Sequence, residues 1–203
     1  MSKSEQLEQI ASEVRVCTAC LLSRGRTNAV PGEGPADAAI MFVGEAPGFH
    51  EDQQGRPFVG AAGRFLEELL ASIGMTREQV FIANVIKCRP PANRDPLPEE
   101  IVACQSFLDR QLEIIRPKMV VTLGRFSMAR FFPEARISQV HGQARRFEGM
   151  VCYPMYHPAA ALHQPSLRRV VEEDMARIPE LLGSTDQITE YEPPPQAEQL
   201  KLF

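Results

Sequence analysis

Four short apolar segments, each ending at a turn or a polar loop, constrain the fold of this chain more than any other feature. They cover residues 38–43, 80–86, 119–123 and 151–155. Patterns of apolar residues at helical spacing precede, separate or follow them, over residues 4–15, 63–73, 98–115 and 167–182. Strands that alternate with helices form parallel sheets covered by helices on both faces. The sequence therefore predicts an α/β protein, a three-layer α/β/α fold around a central four-stranded parallel sheet.

The turn after the first predicted strand is rich in glycine and proline, since residues 44–48 read GEAPG. Ligands of open parallel sheets bind just beyond the carboxyl ends of the strands. Gly44 and Gly48 allow the main chain to approach a ligand closely, and Pro47 stiffens the turn between them. Taken alone, the same five residues could form an ordinary strand-to-helix turn. The loop over residues 49–60 is unusually long, however, which is typical of functional loops.

Three further residues lie where the predicted strands meet that turn. Asn84 interrupts an apolar strand, and a buried amide is either structural or reads the polar edge of a ligand. Its adjacent donor and acceptor match the O4/N3–H edge of a pyrimidine. Phe58 is either a core residue or a stacking platform for a base. His157 could donate to an oxygen that gains negative charge, although a lone histidine is more often structural.

The cysteines indicate a metal site. Cys17 and Cys20 have the spacing of a chelating pair, and Cys88 and Cys104 could complete a set of four. Four thiolates bind zinc or an iron–sulfur cluster, and the spacing does not separate the two. Alternatively, Cys88 and Cys104 are buried core thiols, which is also our interpretation of Cys152.

Composition indicates one domain, residues 1–183, followed by a polar, proline-rich tail, residues 184–203, that we expect to be flexible. The net charge of −4 is unusual for a nucleic-acid-binding protein, but much of it lies in the tail. Arg145, Arg146 and Arg168 could bind phosphates, although a solvated helix face is the commoner role of such residues.

The sequence also bears on where the protein works. No apolar run would span a bilayer and no signal peptide is evident, so we expect a cytoplasmic protein. We also expect it to be a monomer.

Several of these motifs occur together in one known family. Residues 44–48, Asn84, residues 157–162 (HPAAAL) and the four spaced cysteines closely resemble the family 4 uracil-DNA glycosylases. The resemblance covers roughly residues 5–182. It implies removal of uracil from DNA at the start of base excision repair. It also implies a [4Fe–4S] cluster on Cys17, Cys20, Cys88 and Cys104, and this resemblance, not the spacing, favours iron–sulfur over zinc. Hydrolysis of an N-glycosidic bond moves no electrons, so we expect a structural cluster.

The resemblance assigns the recognition of the base to four places. Phe58 stacks on the extruded uracil, and Asn84 hydrogen-bonds its O4/N3 edge. The Gly44 turn presents the backbone amides of Glu45 and Ala46 to O2. Glu51 lies against C5 and excludes the methyl group of thymine, although this charged stretch could also be loop surface.

The resemblance also assigns catalysis, to His157, Glu45 and Asn84. Glu45 could orient the attacking water or contribute mainly through its backbone, and the sequence does not separate the two. His157 would stabilise the uracil anion as the bond breaks. The family 1 enzymes have an aspartate where this chain has Ala46, so leaving-group stabilisation should carry more of the catalysis. Leu162 is expected to enter the duplex as a wedge.

Two alternatives keep the same fold. One related group becomes covalently trapped on DNA through a histidine in an Arg-rich insert, but residues 89–95 contain no histidine and position 46 is not the glutamine of that group. We therefore predict turnover. The other alternative is a uracil-DNA-binding or clamp-associated module without activity. An iron–sulfur or nucleotide-binding redox protein is less favoured, because no cofactor fingerprint accompanies the cysteines.

The chain ends in a short apolar motif that could bind a partner. Gln199, Leu200, Leu202 and Phe203 resemble the peptide by which bacterial repair proteins dock on the sliding clamp. The two last side chains would fill an apolar pocket, and a flexible linker would raise the local enzyme concentration. A chance apolar terminus is the alternative.

Overall fold

A computed structural model describes residues 1–193, which form one five-stranded sheet with helices on both faces. In chain order the elements are α1 (Lys3–Val16), β1 (Ile40–Gly44), α2 (Phe49–Gln54), α3 (Ala61–Ser72), β2 (Phe81–Asn84), α4 (Pro98–Ile115), β3 (Met119–Leu123), α5 (Arg125–Ala129), α6 (Ile137–Val140), β4 (Arg145–Phe147), β5 (Met150–Met155), α7 (Pro158–His163), α8 (Pro165–Ala176) and α9 (Ile178–Gly183). The sheet order is β2-β1-β3-β5-β4.

The four predicted parallel strands are confirmed. β1 lies between β2 and β3, and β5 pairs with the other edge of β3, all in parallel register. A fifth strand, β4, is antiparallel to β5 and forms the sheet edge. Its three residues are only half-buried, so they lack the apolar alternation that identifies a strand in sequence.

The core has two layers, one on each face of the sheet, as a three-layer fold requires. Met41 and Val43 pack on the face that α1 and α4 cover, whereas Ile40 and Phe42 pack on the opposite face. This alternation follows from the two-residue period of a strand. All five residues of β1 are buried, which is typical of a central parallel strand. The turn over residues 44–48 therefore begins at the end of a fully buried central strand.

Two helical segments differ from the predicted ones. The predicted helix over residues 167–182 is two helices, α8 and α9, which meet at Arg177, with Pro179 in the first turn of α9. The predicted long loop contains the six-residue helix α2, which ends at Gly55 in the left-handed conformation. α2 turns the chain back, so that both ends of this loop remain at the same edge of the sheet.

The segment after α9 begins on the protein surface beside β4. Arg146 N donates to the Thr189 carbonyl at 2.8 Å, and Tyr191 N donates to the Arg146 carbonyl at 2.7 Å. Residues 185–191 thus lie against the sheet edge, and the division into residues 1–183 and 184–203 stays a prediction. The predicted clamp-binding residues 199–203 lie outside the described part. Within residues 1–193, none of the helices has the length and apolar character needed to span a bilayer.

A buried carboxylate fixes the loop between β2 and α4. Glu100, only 3% exposed, accepts from Leu97 N at 2.8 Å and forms a two-point ion pair with Arg94 at 2.6 and 2.9 Å. The hydrogen bond and charge of Arg94 hold the pKa of the Glu100 carboxyl below its ordinary value. This arrangement caps the first turn of α4 and holds residues 89–95 at the carboxyl edge of the sheet.

Replacing Glu100 by Ala removes both interactions, and we expect the free energy of unfolding to fall by about 2 kcal/mol. The exposed neighbour Glu99→Ala should change it by less than about 0.5 kcal/mol. Denaturant unfolding measures both. Because the folded-state pKa of Glu100 is lowered, the stabilisation is complete above its unfolded-state pKa and is lost as pH falls through the folded value. If the difference in free energy of unfolding between wild type and Glu100→Ala is the same at pH 7 and pH 3, the ion pair of Glu100 does not stabilise the fold as described.

Candidate functional site

A cavity of about 350 Å³ opens at the carboxyl edge of the sheet, above β1 and β2. Its lining comprises Glu45, Ala46, Pro47, Gly48, Glu51, Phe58, Ala62, Asn84, Pro90, Asn93, Arg94, His157 and Ala159. The structure thus brings the residues predicted for base recognition and catalysis to a single cavity, with Gly44 beneath them. A side chain at Gly44 could not fit, because its Cβ would lie 2.7 Å from the Phe58 ring.

Phe58 is held by its backbone as well as by packing. Its φ of +52° lies in the left-handed region, which non-glycine residues rarely adopt. The Phe58 carbonyl accepts from Arg77 Nη1 at 2.8 Å, and Gly63 packs so closely against this carbonyl that no side chain fits there. The Phe58 ring lies 5.5 Å from the His157 ring with 24° between their planes. The cavity therefore has a flat, fixed aromatic wall on which a planar ring can stack.

Asn84 lines the cavity and carries a buried polar atom that has no partner among the described residues. The residue is 2% exposed, and Asn84 Oδ1 has no hydrogen-bond partner within the described chain. Leaving a buried acceptor unpaired costs about 1–3 kcal/mol. Since Asn84 lines the cavity, a ligand with an N–H donor would recover this cost.

His157 is the N-cap of α7, where His157 Nδ1 accepts from Ala159 N at 3.1 Å. A neutral imidazole that accepts at Nδ1 carries its proton on Nε2. Burial lowers the pKa of His157 to about 4, although the nearby Glu51 charge opposes this shift. The histidine is therefore neutral at physiological pH, and its Nε2–H group is available as a hydrogen-bond donor.

Two carboxylates border the cavity in different settings. Glu51 Oε1 accepts from Val59 N at 2.8 Å and from Gly60 N at 2.9 Å, so its orientation is fixed by the backbone. Glu45 is half-buried, and this burial, together with the charge of Asp95, raises the pKa of its carboxyl. A raised pKa makes Glu45 a better base than an exposed glutamate.

The predicted DNA contacts are distributed unevenly around this cavity. Leu162 is 42% exposed on α7, the helix that His157 caps. Arg145 and Arg146 lie on β4, where both donate to backbone carbonyls. Arg168 pairs with two glutamates and covers the ring of Phe65. None of these three arginines lines the cavity.

Three arginines that were not predicted as site residues lie near the cavity mouth. Arg94 lines it, Arg89 precedes the lining residue Pro90, and Arg125 begins the helix after β3 and pairs with Asp95. All three follow the carboxyl end of a parallel strand, and this position is the signal that could have identified them.

The four cysteines at positions 17, 20, 88 and 104 line a second, small cavity beside α1 and α4. Arg26 Nη1 lies 3.1 Å from Cys88 Sγ, and Lys87 N lies 3.3 Å from Cys104 Sγ. Burial raises the pKa of the Cys104 thiol to about 11, and that of Cys88 in the same direction. Among residues 1–193, no three Cys, His, Asp or Glu side chains have the arrangement of a formed metal site. Cys152 is fully buried in β5, in agreement with its predicted core role.

Lys87 connects the two cavities. Its fully buried ammonium donates to the Asn84 carbonyl at 2.9 Å and to Gln111 Oε1 at 2.8 Å, and burial lowers its pKa to about 8. Gln111 Nε2 in turn donates to the Pro31 carbonyl at 2.8 Å. Both acceptors of the ammonium are neutral, and no carboxylate pairs with it in the described part of the chain.

Comparison with known proteins gives a consistent set of relatives. The family described as the uracil DNA glycosylase superfamily matches residues 31–177. The chain is similar to the type-4 uracil-DNA glycosylase of Sulfurisphaera tokodaii, with 51% identity over 87% of this chain and 85% of the relative. It is also similar to the type-4 enzymes of Archaeoglobus fulgidus (49% identity; 88% and 94%) and Thermotoga maritima (45%; 87% and 94%).

The neutral state of His157 can be measured directly. We expect its imidazole to titrate near pH 4 in NMR spectra of the labelled protein, because burial disfavours the cation. Glu51→Gln should lower this pKa further, since the glutamate charge favours protonation. In the unfolded chain the imidazole takes up a proton near its ordinary value, so His157 reduces stability as pH falls from about 6.5 to about 4. A titration of His157 in the folded protein near pH 6.5 would contradict this description of the cavity.

Proposed function

This chain belongs to the uracil DNA glycosylase superfamily, and we propose that it excises uracil from DNA by hydrolysing the N-glycosidic bond, the first step of base excision repair. The observation that carries this proposal is the convergence of Phe58, Asn84 and His157 on one cavity. An aromatic wall, an unpaired amide oxygen and a neutral donor together suit one planar ring with polar edges.

Access to a base in DNA requires its extrusion from the stack, which costs a few kcal/mol. Contacts inside the cavity offset this cost. In our proposal the uracil ring stacks on Phe58, while Asn84 Oδ1 accepts from uracil N3–H and Asn84 Nδ2 donates to O4. Support comes from the buried, unpaired Oδ1 atom, which the N3–H group would satisfy.

Discrimination against thymine is assigned to Glu51. The backbone N–H groups of Val59 and Gly60 prevent its carboxylate from swinging aside. A methyl group at C5 would then meet a fixed, charged group, and desolvating a carboxylate against a methyl group is unfavourable. Uracil, which carries only hydrogen at C5, avoids this contact.

Catalysis is proposed to depend on stabilising the departing uracil anion. Donors aimed at O2 would be His157 Nε2–H and the backbone amides around Glu45 and Ala46, and preorganised donors of this kind are usually the largest catalytic contribution. Position 46 carries no carboxylate, so no base acts on water from there. Glu45, whose pKa is raised, is our candidate for orienting the water that attacks the sugar.

Contacts to DNA are proposed for one apolar residue and three arginines outside the cavity. Leu162 is exposed on α7, whose first turn contributes to the cavity lining, and would fill the gap that the extruded base leaves. Arg145, Arg146 and Arg168 are the proposed phosphate contacts, which they would form in exchange for their present hydrogen bonds within the protein.

The cysteine cavity suits a [4Fe–4S] cluster bound by Cys17, Cys20, Cys88 and Cys104. The four thiols share one cavity, and Fe–S clusters are held by four thiolates. Such a cluster with four thiolates is negatively charged, which fits the Arg26 guanidinium beside Cys88 Sγ and the buried ammonium of Lys87, another residue that lines the cysteine cavity. Bound cofactor would tie the end of α1 to α4 and to the loop after β2, a structural role.

Two proposals concern partners and location. Gln199, Leu200, Leu202 and Phe203 are proposed to dock on a sliding clamp, which would concentrate the enzyme at replicating DNA. Because the substrate is cellular DNA, we propose that the protein works in the cytoplasm, and its monomeric state stays a prediction.

Uracil release from oligonucleotides tests the proposed activity. We expect release from substrates with uracil opposite guanine, opposite adenine or unpaired. Asn84→Ala and His157→Ala should each reduce the rate by roughly 10²–10³-fold, because each removes a preorganised hydrogen-bonding group. Their iron content should equal that of wild type. The proposal fails if the wild-type protein releases no uracil, and a stable protein–DNA adduct on a denaturing gel would contradict turnover.

The cofactor proposal has a matched pair of variants. Cys88→Ala should lose the brown absorbance and most of the iron, because three thiolates hold a cluster less well than four. Cys152→Ala, a change of the same kind at a buried thiol outside the cavity, should retain both. Elemental analysis that finds zinc, or equal iron in the two variants, would show that the cluster is wrongly assigned.

A further inference from the structure

An exposed aromatic side chain lies at the rim of the candidate cavity. Phe49 is the first residue of α2, and it directly follows Gly48, which lines the cavity. It is 52% exposed. Single exposed apolar residues are common on protein surfaces, so exposure alone does not indicate a function. The neighbours of Phe49 are what distinguish it.

Arg89 reaches Phe49 from a different loop. Its guanidinium carbon lies 5.2 Å from the centre of the Phe49 ring, in cation–π geometry. Arg89 Nε donates to Asn93 Oδ1 at 2.7 Å, and Asn93 lines the cavity. Phe49 follows β1 and Arg89 follows β2, so the two meet where the carboxyl ends of these strands are adjacent.

The charge of Arg89 is available to an external anion. Its hydrogen-bond partner is a neutral amide, and no carboxylate forms an ion pair with it within residues 1–193. The other two arginines near the cavity differ, because Arg94 pairs with Glu100 and Arg125 pairs with Asp95. Arg89 is thus an unneutralised cation next to an exposed ring.

The sheet order places this pair opposite the predicted wedge. β2 lies beside β1 at one end of the sheet, whereas β5 lies beyond β3 on the other side. Phe49 and Arg89 belong to the first side, and Leu162 on α7 follows β5. A DNA strand that delivers a nucleotide into the cavity would therefore pass Leu162 on one side and Phe49 on the other.

We propose that Phe49 and Arg89 form a stacking subsite for the nucleobase next to the extruded uridine on the same strand. This inference rests on the proposed function. Extrusion removes one stacking partner from each neighbouring base, and an aromatic ring can replace it. The guanidinium adds attraction for the phosphate that joins the two nucleotides. Stacking accepts every base, so the subsite should be tolerant of sequence.

Equilibrium binding tests the subsite independently of turnover. The probe is a single-stranded oligonucleotide with 2′-fluoro-deoxyuridine, which resists hydrolysis, flanked by normal bases or by one abasic residue on either side. Wild type should lose roughly tenfold in affinity when the base on one particular side is missing, and less on the other side. Phe49→Ala should bind the intact oligonucleotide roughly tenfold more weakly and be insensitive to that missing base. Phe49→Trp should restore both properties.

Two further variants complete the experiment. Val102→Ala, which truncates an exposed apolar residue on the outer side of α4, should bind as wild type does. Arg89→Gln should weaken binding of all oligonucleotides alike and reduce the slope of log affinity against log salt by about one. The inference is overturned if Phe49→Ala remains as sensitive to the missing base as wild type, or if it binds the intact oligonucleotide equally well. Failure to release uracil from a normal substrate would instead refute the proposed function.

Discussion

The buried ammonium of Lys87 links the two cavities, because Lys87 lines the cysteine cavity and bonds to a residue that lines the other one. It donates to the carbonyl of Asn84, which lines the candidate cavity, while the backbone N–H of Lys87 reaches Cys104 Sγ. Burying an amine next to neutral acceptors is unfavourable unless negative charge lies nearby. Four thiolates around a cluster would supply that charge. A bound cluster would therefore couple the position of Asn84 to the state of the cysteines, although the proposed reaction itself moves no electrons.

Much of the fold followed from local pattern. The strand over residues 119–123 and the helix over residues 98–115 have the predicted limits, because apolar spacing and end signals agree there. β4 was missed because its pairing with β5 depends on a hairpin, not on its own half-buried residues. The junction between α8 and α9 was missed as well, although Pro179 was its signal. Elements that owe their form to neighbours are poorly specified by their own sequence.

The candidate site, too, was predictable from the sequence only in part. Parallel-sheet geometry, together with the family resemblance, was enough to predict that Phe58, Asn84 and His157 meet. It was not enough to predict the left-handed backbone of Phe58, which Arg77 and Gly63 hold in place from distant parts of the chain. The arginines predicted to contact DNA show a second limit of sequence-based prediction. Arg168 was predicted to contact DNA because it lies in a cluster of arginines in the sequence. In the structure it pairs with Glu172 and covers the ring of Phe65, and these contacts stabilise the helix surface.

Burial disfavours the charged form of two groups that line the cavity, Glu45 and His157, whereas the charge of Glu51 acts against the shift of His157. Burial raises the pKa of Glu45 and lowers that of His157, so both shifts disfavour charge. As the N-glycosidic bond breaks in the proposed reaction, negative charge develops on the uracil. Hydrogen-bond donors aimed at this anion act in a buried site of low dielectric, where electrostatic interactions are strong. An aspartate at position 46 would add a negative charge close to that anion. The alanine there is thus consistent with a proposed mechanism in which leaving-group stabilisation, not an activated water, lowers the barrier most.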